Sequence, residues 1–123
     1  MTTIKSHTDL EQSKKLAEIL PAETADMWWA WYSSPFDTGH YDYFPMFHKP
    51  VCNSNESIPC WSLAALLSVI NENFYPNIFH DGEAWNIEVT HHDNNDIKYA
   101  ASANDIIDGV FEIILKLYES KTL

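Results

Sequence analysis

Arginine is absent from this chain. Its 123 residues hold seven basic side chains, all lysine, against eighteen acidic ones, for a formal net charge of −11. Arginine is the usual planar fork for phosphate, for guanine edges and for carboxylates. Between Lys49 and Lys98 no basic residue intervenes, whereas acids from Glu56 to Asp96 do. Nucleic-acid affinity rests mainly on neutralising phosphates. The chain is therefore expected to repel a nucleic-acid backbone, and an anionic membrane surface as well. The plainest use of the acidity is solubility; a basic protein partner is the functional one. Glycine is scarce, at three residues, which argues against a glycine-rich phosphate loop and against a solenoid. The only cysteines are Cys52 and Cys60, too few for a disulfide scaffold. The longest apolar stretch, WSLAALLSVI, is about half of the ~20 residues that span a bilayer. The start, MTTIKSHTDLEQ, lacks an apolar signal core. These readings predict a cytoplasmic chain with free thiols.

What is present is a hydrophobic share of 46% and an aromatic share of 14%, enough for a packed core. Residues 8–20 read as a helix with Thr8 and Glu11 as its capping box, and with Leu10, Ala17 and Leu20 on its apolar face. MWWAWY (27–32) suits a strand covered on both faces. YDYFPMFH (41–48) suits a second strand, kept to an edge by Pro45. Residues 59–71 read as a helix that Pro59 opens, and NENFYPN reads as its end. AWNIEV and IKYAA alternate on either side of a polar tract, which is a β-hairpin. Residues 103–119 form the last helix, capped by Ser102 or Asn104. The order αββαββα predicts one α+β domain over 1–123, with residues 1–7 flexible. Its small antiparallel sheet has about four strands in two hairpin-like pairs, packed against two or three helices.

Three stretches taken together carry a resemblance. They are EQSKKLAEILPAETADMWW (Glu11–Trp29), IPCWSLAALLSVI (Ile58–Ile70) and ASANDIIDGVFEIILKLYESKTL (Ala101–Leu123). As a set they resemble a group of small proteins of no established activity. Those are encoded by gut anaerobic bacteria, often within prophages or other mobile elements. The resemblance implies a mobile-element context and brings no cofactor or site residue with it.

Candidate chemistry is sparse. Asp37–Gly39 spells the aspartic protease triplet, but its flanks, SSPF and HYDYF, lack the apolar strands that chemistry requires. His40, His48 and Cys52 are metal candidates across one loop, without helical or C-x2-C spacing. His91 and His92 are neighbours, and on a strand they point to opposite sides. Cys60, at the expected helix start, is the nucleophile candidate, set against simple packing beside Trp61. The strongest feature is aromatic. Trp28, Trp29, Trp31, Tyr32, Tyr41 and Tyr43 are more than a core this small is expected to hide. The reading is a protein-binding or accessory module without metal or cofactor, engaging a basic protein or a second copy of itself. The alternatives are a small hydrolase dependent on metal or on Cys60, and an acidic mimic of nucleic acid.

Overall fold

The computed structural model describes residues 5–33, 41–47 and 57–123. Helix α1 (Leu10–Ala17) starts at Asp9, whose carboxylate accepts the Gln12 N–H at 2.8 Å while the Gln12 amide oxygen accepts the Asp9 N–H at 3.0 Å. This reciprocal box satisfies two otherwise orphaned donors. It lies one residue beyond the expected pair of Thr8 and Glu11. Thr8 is fully buried instead, and so is Ser13, while Ala17 on the expected apolar face is exposed. A short 3-10 turn, Ala22–Thr24, leads into the first sheet.

Strand β1 (Met27–Ser33) is the centre of an antiparallel sheet in the order β2-β1-β3. Its neighbours are β2 (Tyr41–Met46) and β3 (Ile58–Cys60). Pro45 indeed lies on an edge strand, opposite Trp29. Strand β3 corrects the expectation of a helix from residue 59. Pro59 pairs with Trp28 and Cys60 with Met27. The helix waits for a cap: Ser62 accepts the Ala65 N–H through its hydroxyl, and α2 (Leu63–Asn71) follows. The fixed φ of proline is compatible with a strand as well as with a first helical turn, so Pro59 alone does not decide.

The second sheet has the order β4-β5-β6, again antiparallel. Strand β4 (Phe74–His80) lies where the end of a helix and a loop are expected. Strands β5 (Trp85–His91) and β6 (Lys98–Ala103) are the expected hairpin. Its connection is turn-like: Ile97 donates to the Asn94 carbonyl, and the Asn94 side chain accepts from Asp96. Helix α3 (Ile106–Glu119) is capped by Asp105, not by Ser102 or Asn104; its carboxylate accepts the Ile107 N–H at 2.9 Å. The α+β class holds and a helix lies within each expected helical stretch, but the described residues form two three-stranded sheets where one sheet of about four strands is expected.

The core gathers Leu16 of α1, Trp61, Leu66 and Ile70 around α2, Phe74 of β4, and Ile87 and Val89 of β5. Against these α3 presents Ile107, Val110, Ile113, Ile114 and Leu117, all fully buried. That spacing is one broad helical stripe. Gly109 lets α3 come close to β5, because Ile87 Cδ1 stands where a Cβ at 109 would go. Among the described residues no helix is long and apolar enough to cross a membrane.

Candidate functional site

The six aromatic candidates sit on one antiparallel pair, but the pleat divides them. Trp29 pairs with Pro45, Trp31 with Tyr43, and Ser33 with Tyr41, so these positions share one face of β1–β2. Positions 28 and 32, opposite Met46 and Asp42, belong to the other face. Trp28, Trp29, Trp31 and Tyr43 are half-buried, and Phe47, just past β2, is 82% exposed. On the first face Trp31 and Tyr43 meet edge to face, with ring centroids 4.9 Å apart. Such pairs contribute roughly 0.5–1.5 kcal/mol beyond the area they bury. The expectation that β1 is covered on both sides holds at Met27 and Ala30, which are buried.

Trp29 is anchored from behind. Its indole Nε1 donates to Ser13 Oγ at 3.0 Å, and its ring meets His7 edge on at 5.4 Å. Ser13 Oγ lies 2.7 Å from Thr8 Oγ1, which also accepts the Trp61 N–H at 3.1 Å. Cys60 joins the cluster: its thiol donates to the Thr8 carbonyl at 3.5 Å. These partners tie α1, β1 and β3 together, and among the described residues no buried side-chain nitrogen or oxygen lacks a partner. Sequence reading takes Thr8 for a helix cap and misses Ser13, because a polar residue on the buried face of a helix breaks the pattern the reading relies on.

The chemistry at Cys60 is quiet. Burial pushes its thiol above the ordinary cysteine range, against which the Thr8 and Ser13 hydrogen bonds act weakly. It ends a strand, so it gains nothing from a helix N-terminus. Burial likewise lowers the pKa of His7. His91, the last residue of β5, and His92, just past it, part: His91 rests edge on against buried Phe74 at 5.1 Å, and His92 tilts over exposed Tyr75 at 4.1 Å. Among the described residues no three His, Cys, Asp or Glu side chains gather as metal ligands. His40, His48, Cys52 and the triplet 37–39 lie outside the described residues.

A charged knot holds the N-terminal segment to α3. Lys5 Nζ reaches Asp108 at 2.7 Å and Asp9 at 3.0 Å, and the Lys5 N–H donates to Asp105 at 3.0 Å. Burial opposes the charge of Lys5, but the two carboxylates outweigh it and raise its pKa. For Asp9 burial is outweighed by the Gln12 N–H and by Lys5, so its pKa falls.

The class of protein that emerges is an α+β chain whose aromatic sheet is braced by a buried hydroxyl and thiol cluster. No protein family, no curated protein and no solved structure matches it.

Proposed function

We propose that this chain is a protein-binding accessory module, working in the mobile-element context that its sequence resemblance implies. The observation behind the reading is the aromatic row on β1–β2: Trp29, Trp31 and Tyr43 share a face, and Phe47 beside it is 82% exposed. Half-buried tryptophan and tyrosine give large contact areas at low entropic cost, and a few such residues carry most of the energy of an interface. The chain's −11 charge favours a partner with basic residues around an apolar pocket. Cys60, buried with its thiol protonated, is a poor nucleophile, which weakens the cysteine-hydrolase alternative.

The test uses Phe47→Ser, which removes an exposed ring, and Trp31→Ala, which removes one of the half-buried rings. Each variant and the unaltered chain are immobilised and compared for captured proteins, with thermal melting run in parallel. The expected result is a captured protein that both variants lose while Phe47→Ser melts like the unaltered chain. An identical set of captured proteins for all three overturns the reading.

A further inference from the structure

Among the described residues three of the four sheet edges carry a proline: Pro45 in β2, Pro59 in β3 and Pro76 in β4. Proline has no N–H to offer and blunts an edge against further pairing. The fourth edge, β6, reads KYAASA and has none.

The registers show which groups face outward. His91 donates its N–H to the Ile97 carbonyl at 3.0 Å, so 91 and 97 are a hydrogen-bonded rung of the β5–β6 ladder. Rungs alternate, so Tyr99, Ala101 and Ala103 turn their backbone groups toward β5. Lys98, Ala100 and Ser102 turn theirs away from the sheet. The same logic applies to β4, where His92 donates to the Asn73 carbonyl at 2.9 Å. There Phe74, Pro76, Ile78 and His80 face outward. Pro76 thus omits a donor from the free edge and costs the ladder nothing, so that edge is guarded. On β6, among the described residues, no hydrogen bond uses the outward N–H groups of Lys98, Ala100 or Ser102. One outward acceptor is in use: Lys116 of α3 donates through Nζ to the Ala100 carbonyl at 2.6 Å. A groove of about 480 Å³ runs alongside, between β6, α3 and the start of α1. Asp9, Asp108 and Glu112 line it together with Lys5 and Lys116, three carboxylates against two ammonium groups.

We propose that the β6 edge accepts an extended segment of a partner protein as an added fourth strand, with lysine or arginine at alternate positions facing the groove. Main-chain hydrogen bonds supply the affinity in this mode, and alternate side chains supply the choice of partner. Lys5 holds Asp9 and Asp108, so the preference for basic side chains on the α3 side rests on the groove's excess of one carboxylate within a chain of net charge −11. Lys98, on the opposite face, disfavours them there. A second copy of this chain would bring the same acidic excess to the edge, so net charge opposes self-pairing. Lys116 is a removable guard: Glu112, one helical turn before it, offers its ammonium another partner when the Ala100 carbonyl is taken. The inference concerns the second sheet and stands apart from the aromatic row on the first.

The experiment titrates the full chain, labelled with nitrogen-15, with a fluorescein-tagged hexapeptide of alternating lysine and valine. A glutamate–valine hexapeptide is the control. The expected result is that the amide signals of Lys98, Ala100 and Ser102 move together. Ala100→Pro, which deletes only an outward donor, should weaken binding by about tenfold or more, the loss of about one good interaction. Lys116→Ala should tighten it. Ser102→Pro is the second edge variant should Ala100→Pro not fold. Phe47→Ser should bind the peptide as the unaltered chain does, so this inference and the aromatic reading fail separately. No shift at the three amides, equal binding of the glutamate peptide, or unchanged affinity in a folded proline variant overturns the proposal. So does a dimer in sedimentation that Ala100→Pro dissolves, which would assign the edge to a second copy.

Discussion

Asp81 shows how much a single exposed side chain can organise. It stands in the connection between β4 and β5, next to Gly82, whose φ of 98° is a left-handed conformation suited to glycine. Its carboxylate accepts the N–H groups of Ala84 and Glu83, each at 2.9 Å, and the Asn86 amide at 2.9 Å. These bonds, Ala84 first, bring its pKa from 3.8 down to about 2. A folded pKa below the unfolded one means that the ionised form favours the fold. The contribution is complete above about pH 4 and is lost as the pH falls through about 2. The stability difference between the unaltered chain and Asp81→Asn, measured by urea unfolding, should therefore be largest near neutrality and shrink across that window. A difference that stays constant from pH 5 down to about pH 2 would show that the charge of Asp81 contributes nothing. The Asp-Gly pair is a turn signal legible in sequence. It is passed over because Pro76, with Asn71, Asn73 and Asn77 around it, disguises β4 as a loop.

At the scale of elements, α3 and the β5–β6 hairpin are readable because their apolar periods are long and unbroken. Strands β3 and β4 are not. The first is three residues long and merges with the start of α2; the second holds a proline whose outward position only the register reveals. The aromatic row is half readable. Strand alternation already separates Trp28 from Trp29 and Trp31, and what only pairing with β2 adds is that Pro45 and Tyr43 share the face of the latter two. Thr8 is legible only as a helix cap, and the bracing hydroxyl of Ser13 comes from a position that no local pattern marks. Contact between α3 and β5 through Gly109 is equally silent in sequence, and it supports a test. Gly→Ala inside a helix ordinarily stabilises by about 1 kcal/mol. Here the new methyl meets the side chain of Ile87, which is fully buried and has little room to move. Overpacking of this kind costs ~1–3 kcal/mol, so Gly109→Ala should destabilise. Ile87→Val removes the obstructing Cδ1 at a cost of ~0.5–1.5 kcal/mol. In that background Gly109→Ala should reverse sign and stabilise. Denaturant unfolding of the four proteins decides it, and additive effects would refute the close approach.

For the whole molecule, the charge balance read from sequence outlasts every detail of the fold. Lys5 is held by Asp9 and Asp108, while Lys14 and Lys15 lie 3.9 Å from Glu11 and Glu18. These pairs are half-exposed, and such bridges contribute about 0–1 kcal/mol each. Eighteen acids against seven lysines leave a large uncompensated repulsion that folding concentrates. Added salt acts on both terms. Between ~0.01 M and ~1 M the screening length falls from about 30 Å to about 3 Å. Contacts at 3 to 4 Å are weakened only in part, whereas repulsion between carboxylates spread over the surface is almost erased. The repulsive term should win, and sodium chloride should raise the melting temperature. A gain of about 1 kcal/mol corresponds to roughly 4 °C for a domain of this size. Sodium chloride is the right salt because sulfate stabilises by exclusion from protein surface whatever the charge. Thermal melting across that range settles the matter. A melting temperature that falls with salt would mean that the lysine pairs around α1 and α3 outweigh the acid surplus. The acidity would then be a structural device, and its use in drawing a basic strand to β6 would lose its electrostatic ground.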